Sequence, residues 1–157
     1  MSFSQDYSSL DRLDSIKLLK NEKYQKIKEN DTIYIEYKGI KNSNKNMSKS
    51  KSGIETRFYN FFTNKIDNVY FAYQSKNPDN EISQPVEVNK KFIKNHKKEI
   101  IDFNFLEIIK TPSSRLFSTF IKKQQRKIIY IIDYTEIKNK LLFMYKVKFT
   151  YNTLGDD

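Results

Sequence analysis

Residues 128–151 read IIYIIDYTEIKNKLLFMYKVKFTY. In the second half the apolar side chains fall on alternate positions: Leu141, Phe143, Tyr145, Val147, Phe149 and Tyr151, with Lys146 and Lys148 between the later ones. A period of two is strand spacing, and it sends those six residues to one face. Residues 128–137 form a second run rich in Ile and Tyr, and Lys138-Asn139-Lys140 separates the two runs. The stretch predicts a β-hairpin with one apolar face that needs a core to cover it.

Upstream, residues 89–127 read as a helical insert. Phe92, Ile93, His96, Ile100 and Phe103 cluster on one side of a helix over 89–103, and Lys90, Lys91, Lys94, Lys97 and Lys98 lie opposite. Thr111-Pro112-Ser113-Ser114 stops that helix and caps a fresh one running to Lys127. Further back, Asn77-Pro78-Asp79-Asn80 is a turn, and 57–62 and 69–74 read as strands. Residues 32–40 alternate Ile33, Ile35 and Tyr37 against Tyr34, Glu36 and Lys38, which predicts a half-buried strand. A helical stripe runs through Leu10, Leu13, Ile16, Tyr24 and Ile27, interrupted by Lys20, so a break is expected near Asn21. Residues 1–9 are expected to fray, and KNSNKNMSKSKSG at 41–53, with four Lys and no acid, is expected to be a flexible basic loop.

The expected fold is a single α+β domain over 1–157, with an N-terminal helix, three strands, a helical insert and a closing hairpin. That order suits a mainly antiparallel sheet. It is also the element order of an OB-like, five-stranded, partly open barrel. The high content of Phe (12) and Tyr (11) excludes a disordered chain, despite 31% charged residues. No Cys is present, so disulfides and thiolate metal sites are excluded, and a reducing, intracellular compartment is expected. The longest apolar runs reach five residues, against roughly 20 for a bilayer span, so no membrane insertion is expected.

The formal net charge is +10, and Lys supplies 25 of the 29 cations. Abundant Lys, Asn and Ile are also what an AT-rich coding sequence imposes, so the placement of charge is more informative than its total. No acid occurs between Thr111 and Ile132. On a helix, Arg115, Lys122 and Arg126 project opposite Leu116, Phe117, Phe120 and Ile121, with Lys123 and Lys127 on the flanks. The expected function is non-catalytic binding of single-stranded DNA or RNA through phosphate contacts. Candidate contacts are Arg115, Lys122, Lys123, Arg126 and Lys127; Lys90, Lys94 and Lys97; Lys45, Lys49 and Lys51 of the loop; and Tyr34 and Lys38 of the first strand. Tyr34, Tyr59 and Tyr70 are candidate stacking residues. The alternative is a structural or interaction subunit, or an inhibitor, docking on an acidic protein surface.

Catalytic signatures are weak. His96, the one histidine, falls in an apolar stripe and reads as a packed residue rather than a ligand. Glu36-Tyr37-Lys38 and Glu136-Ile137-Lys138 each set a carboxylate and an amine on a strand, as in restriction-type nucleases. Such sites also require an Asp from a neighbouring strand to hold Mg²⁺, and Asp133 is expected on the same strand as Glu136. Three glycines and no P-loop argue against a nucleotide cradle. No enzyme activity, metal or cofactor is expected.

Overall fold

The C-terminal hairpin forms as expected and lies in the middle of the sheet. A computed structural model describes residues 22–40, 42–62, 69–76, 79–102, 105 and 128–150. The elements are, in chain order, α1 (Glu22–Glu29), β1 (Thr32–Tyr37), β2 (Ser43–Lys49), β3 (Glu55–Phe61), β4 (Val69–Gln74) and β5 (Val86–Val88). Then follow α2 (Lys90–His96), β6 (Ile100–Ile101), β7 (Ile128–Lys138) and β8 (Leu141–Thr150).

The strands make one open sheet in the order β2-β3-β4-β8-β7-β1-β6. β4 pairs with β8 at 148–150 and β5 pairs with it at 142–144, so the two share one edge of the long strand. Most pairings are antiparallel, but β1 runs parallel to both β6 and β7. The α+β class and the mainly antiparallel sheet are as expected. The described residues form eight strands in an open sheet with two parallel pairings, and not the five-stranded OB-like barrel.

The hairpin turn has Asn139 at φ 52° and Lys140 at φ 66°. Two left-handed central residues match the right-handed twist of the flanking strands, and they favour Asn-Gly. Lys140 carries a Cβ into that region and is exposed. Lys140→Gly is therefore expected to stabilise the fold by up to about 1 kcal/mol in thermal melts, after the entropy cost of Gly is subtracted.

The alternation read in β8 holds. Tyr145 and Val147 are buried and Phe143 and Phe149 pack against the same core, whereas Lys146 and Lys148 are exposed. On this inner side lie Ile33, Ile35 and Tyr37 of β1, Tyr59 and Phe61 of β3, Phe71 and Tyr73 of β4, and Ile129 and Ile131 of β7. Tyr24 and Ile27 of α1 join them, as the stripe in the sequence predicts. The sheet curls around this core: the rings of Tyr37 on β1 and Tyr59 on β3 meet edge to face at 5.1 Å. The outer side has a second cluster of Val88, Ile100, Ile132 and Met144, covered by Phe92 and Ile93 of α2.

Two expectations change. The stretch 41–53, read as a flexible loop, contains β2, paired with β3 from Ser43↔Phe61 to Lys49↔Glu55. Its polarity is that of an edge strand whose outward side chains meet water. The turn that follows is closed by Gly53 N–H donating to Ser50 O, with Gly53 at φ +86°. The helix read over 89–103 ends at His96, and Ile100, assigned to its apolar stripe, is in β6 beside Tyr34. Ile100 and Ile101 are buried in the outer and inner clusters respectively, which is what a strand with both faces covered requires. Of the helix expected over 10–27, the described part is Glu22–Glu29, which begins just after the expected break. Residues 1–21, the helix read over 114–127 and Tyr151 lie outside the described residues.

Candidate functional site

Two groupings of charged residues stand out, one inside the curl of the sheet and one outside it. The inner grouping starts from a defect in the central hairpin. Asp133 faces Phe143 and Lys138 faces Leu141, so residues 134–137 of β7 oppose Leu142 alone. This bulge gathers Asp133, Thr135 and Glu136. Lys45 of β2 donates to Asp133 Oδ2 (2.9 Å), Thr135 Oγ1 (2.9 Å) and Glu136 Oε1 (3.0 Å). Arg57 of β3 donates through Nη1 to Glu136 Oε2 (2.7 Å) and through Nε to Glu55 Oε1 (2.8 Å), and its guanidinium lies 4.0 Å from the Tyr145 ring centroid. Tyr59 and Tyr145 donate their hydroxyls to Asp133 Oδ2 and Glu136 Oε2, each at 2.9 Å. Thr135 donates its N–H and hydroxyl to Asp133 Oδ1.

Every member of this cluster has a partner, which is the condition under which buried charge is tolerated. Burial pushes the Glu136 carboxyl up, but hydrogen bonds from Arg57, Lys45 and Tyr145 overcome that and hold it at about 2. A carboxyl held below its ordinary 4.5 contributes stability that is present above 4.5 and lost as pH falls toward 2. Burial pushes Lys45 down, and its bonds to Asp133 and Glu136 reverse that and raise it, so its contribution is lost only at strongly alkaline pH. Asp133 and Glu136 do come together, but around an ammonium and a guanidinium. No cluster of metal-ligating side chains occurs among the described residues.

The expected contacts divide accordingly. Lys45 is drawn inward by the cluster and is not a free loop cation. Lys49 and Lys51 are exposed at the far end of the β2–β3 hairpin. Tyr34, expected on a solvent-facing side, is half-buried against Phe92 (5.2 Å), His96 (5.4 Å) and Tyr130 (6.1 Å). Tyr59 is fully buried. His96 stacks on Phe92 at 4.1 Å, and its Nδ1 lies 2.9 Å from Phe92 O, a packing role as read. Arg115, Lys122, Lys123, Arg126 and Lys127 lie outside the described residues.

The outer grouping is cationic. Lys90, Lys91, Lys94, Lys97 and Lys98 are all exposed on and just beyond α2, whose Phe92 and Ile93 anchor it to the sheet. Asn89 sets the helix start, its side chain accepting the Phe92 N–H at 2.8 Å. Lys146 and Lys148 of β8 project from the same side of the sheet, and Lys38 lies 3.5 Å from Glu36. Lys146 and Lys148 line a groove of about 330 Å³ with Ala72 and Gln74 of β4, and its far wall is the segment 79–83. Asp79 and Glu81 place two carboxylates on that wall.

No helix among the described residues is long and apolar enough to cross a membrane. Comparison of the chain with protein-family models, with curated proteins and with solved structures gave no match.

Proposed function

We propose that the chain is a non-catalytic nucleic-acid-binding protein that holds single-stranded DNA or RNA through lysine contacts to phosphates. One observation carries the reading: a set of exposed lysines lies on the outer side of the sheet, apart from the charge-matched Lys45 and Arg57 inside it. Lys45 and Arg57 point inward and are matched by Asp133, Glu136 and Glu55. The five lysines around α2, with Lys146 and Lys148, point outward and are exposed. Positive charge left exposed on one side releases counterions from a polyanion when it binds, which is the main source of nucleic-acid affinity. The sequence adds five further cations, Arg115 to Lys127, without an acid among them.

The test is a salt titration of binding to a labelled, mixed-sequence single strand. The slope of log affinity against log salt should be about −0.7 per phosphate contacted, hence about −3.5 if the five α2 lysines each meet one. Changing Lys90, Lys94 and Lys97 together to Ala should flatten the slope by about 2 and leave the melting temperature unchanged. A shallow slope in the unaltered protein, or no binding at low salt, would overturn the proposal. Equal binding to an acidic protein surface would favour the interaction-subunit alternative.

A further inference from the structure

We infer that the groove beside Lys146 and Lys148 is a base-reading subsite that takes one nucleotide with an amino-bearing base, guanine fitting best. This rests on the nucleic-acid reading above and adds a selectivity to it. The groove exists because two strands share one edge of β8. β4 pairs with β8 at 148–150 and β5 at 142–144, so the chain leaves β4 and returns before it pairs again. The returning arm is tied to the end of β4 at three points. Ser83 N–H donates to Ser75 O (2.9 Å), the Tyr73 hydroxyl donates to Ser83 O (2.7 Å), and Lys76 and Ile82 form a bridge. Between arm and sheet lies the space of about 330 Å³. Small-molecule sites run from about 300 to 1,000 Å³, so there is room here for one nucleotide and little more. Walls held in place before a ligand arrives reduce the ordering cost of binding it.

The two walls differ in charge. Lys146 and Lys148 stand two residues apart on one face of β8, about 7 Å along the strand, and both are exposed. That spacing lets both ammonium groups reach one phosphate. Asp79 and Glu81 line the other wall, with the Gln74 amide and Ser83 between and Ala72 as an apolar spot on the floor. A purely cationic groove would serve any polyanion. A ligand that satisfies both walls carries an anion and, a short distance away, hydrogen-bond donors. Guanine presents its N1–H and N2 amino group side by side, a pair that one carboxylate accepts together. Thymine and uracil present one N–H between two carbonyls, whose oxygens would face the carboxylates. Asp79 and Glu81 each have a partner already, but a carboxylate offers about four lone-pair sites and can accept more.

The groove also lies where a bound strand would reach it. Lys148, Ala72 and Phe58 stand in one cross-strand row, and Phe58 is exposed, so the row is on the outer side. Tyr34, Tyr130 and Lys146 form the adjacent row, and Tyr34 lies under Phe92 of α2 at 5.2 Å. Lys146 is thus two strands, about 10 Å, from the strand that α2 covers. A single strand held by the α2 lysines can set a neighbouring nucleotide in the groove.

The experiment measures anisotropy of labelled oligothymidine strands whose central position is deoxyguanosine, deoxyinosine or thymidine, at low salt. The deoxyguanosine strand should bind about 5- to 150-fold more tightly than the all-thymidine strand, the range of one bidentate base contact. Deoxyinosine, which lacks the N2 amino group, should fall between them. Asp79→Asn combined with Glu81→Gln should abolish the preference, leave the all-thymidine strand bound at least as tightly, and leave the melting temperature unchanged. Lys146→Ala combined with Lys148→Ala should weaken the deoxyguanosine strand more than the all-thymidine strand. If the unaltered protein binds all three strands equally, the subsite is overturned and the phosphate-contact reading stands. A preference that survives the double carboxylate change, or that deoxyinosine retains in full, also overturns the subsite. Failure of the unaltered protein to bind any of the strands overturns both readings.

Discussion

Asp133→Ala is expected to destabilise the fold by about 3–5 kcal/mol, the cost of leaving buried charges without their partner. Asp133 is fully buried, and its two oxygens accept from Lys45, Tyr59 and Thr135. Removing it takes from the buried Tyr59 hydroxyl the carboxylate it donates to and leaves Lys45 with Glu136 as its single carboxylate. The measurement is a urea denaturation curve at neutral pH. Lys45→Met in the same chain should recover much of the loss, because the pair is then replaced by apolar contact rather than broken. A loss below about 1 kcal/mol would show that the cluster does not brace β2 and β3 against β7.

Phe71→Ala is expected to cost about 3–5 kcal/mol. The ring is fully buried and meets Phe61 at 6.0 Å and Phe149 at 5.8 Å, both edge to face. Such contacts add about 0.5–1.5 kcal/mol each beyond the area buried. Phe58→Ala, from the neighbouring strand but the opposite face, should cost under about 1 kcal/mol. The comparison separates fold from surface in two residues of one type. Similar melting temperatures for the two variants would mean that the face assignment is wrong, since a one-residue slip exchanges the sides.

The parts of the fold legible in the sequence are those in which one segment states its own pattern. The alternation of Phe143, Tyr145 and Val147 against Lys146 and Lys148 gives the inward and outward faces of β8 without reference to any neighbour. β2 could not be read that way. Lys45 is the residue that ties it to the core, through partners 88 and 91 positions away, and a lysine gives no local sign of pointing inward. Ile100 failed for a related reason: Phe92, Ile93, Ile100 and Phe103 fit a helical stripe, but β1 offers a strand edge that Ile100 and Ile101 take instead. Tyr34 alternates correctly, yet what covers its outer side is α2, which no local pattern announces. The lysines of α2 were identified as an outward set and are one. Phe58 was missed because a Phe in a strand reads as core. Its place becomes visible only when Tyr59 and Arg57 are seen to be buried on the other side.

The place of β7 and β8 between β4 and β1 also has a consequence for how the chain reaches this state. β2, β3 and β4 are consecutive and can zip together from local turns as soon as they leave the ribosome. β1 has no such neighbour; it aligns with Ile100–Ile101 and with β7, where Thr32 faces Ile128, both far along the chain. Contacts so distant in sequence carry a large loop-closure entropy before they return any energy, and they slow folding. Until the hairpin is synthesised, β4 keeps one bare edge and β1 has only the two-residue β6 to pair with. Nascent chains of this protein therefore pass through a period in which two sticky strand edges wait for the same late segment, a demand on chaperones that the finished molecule conceals.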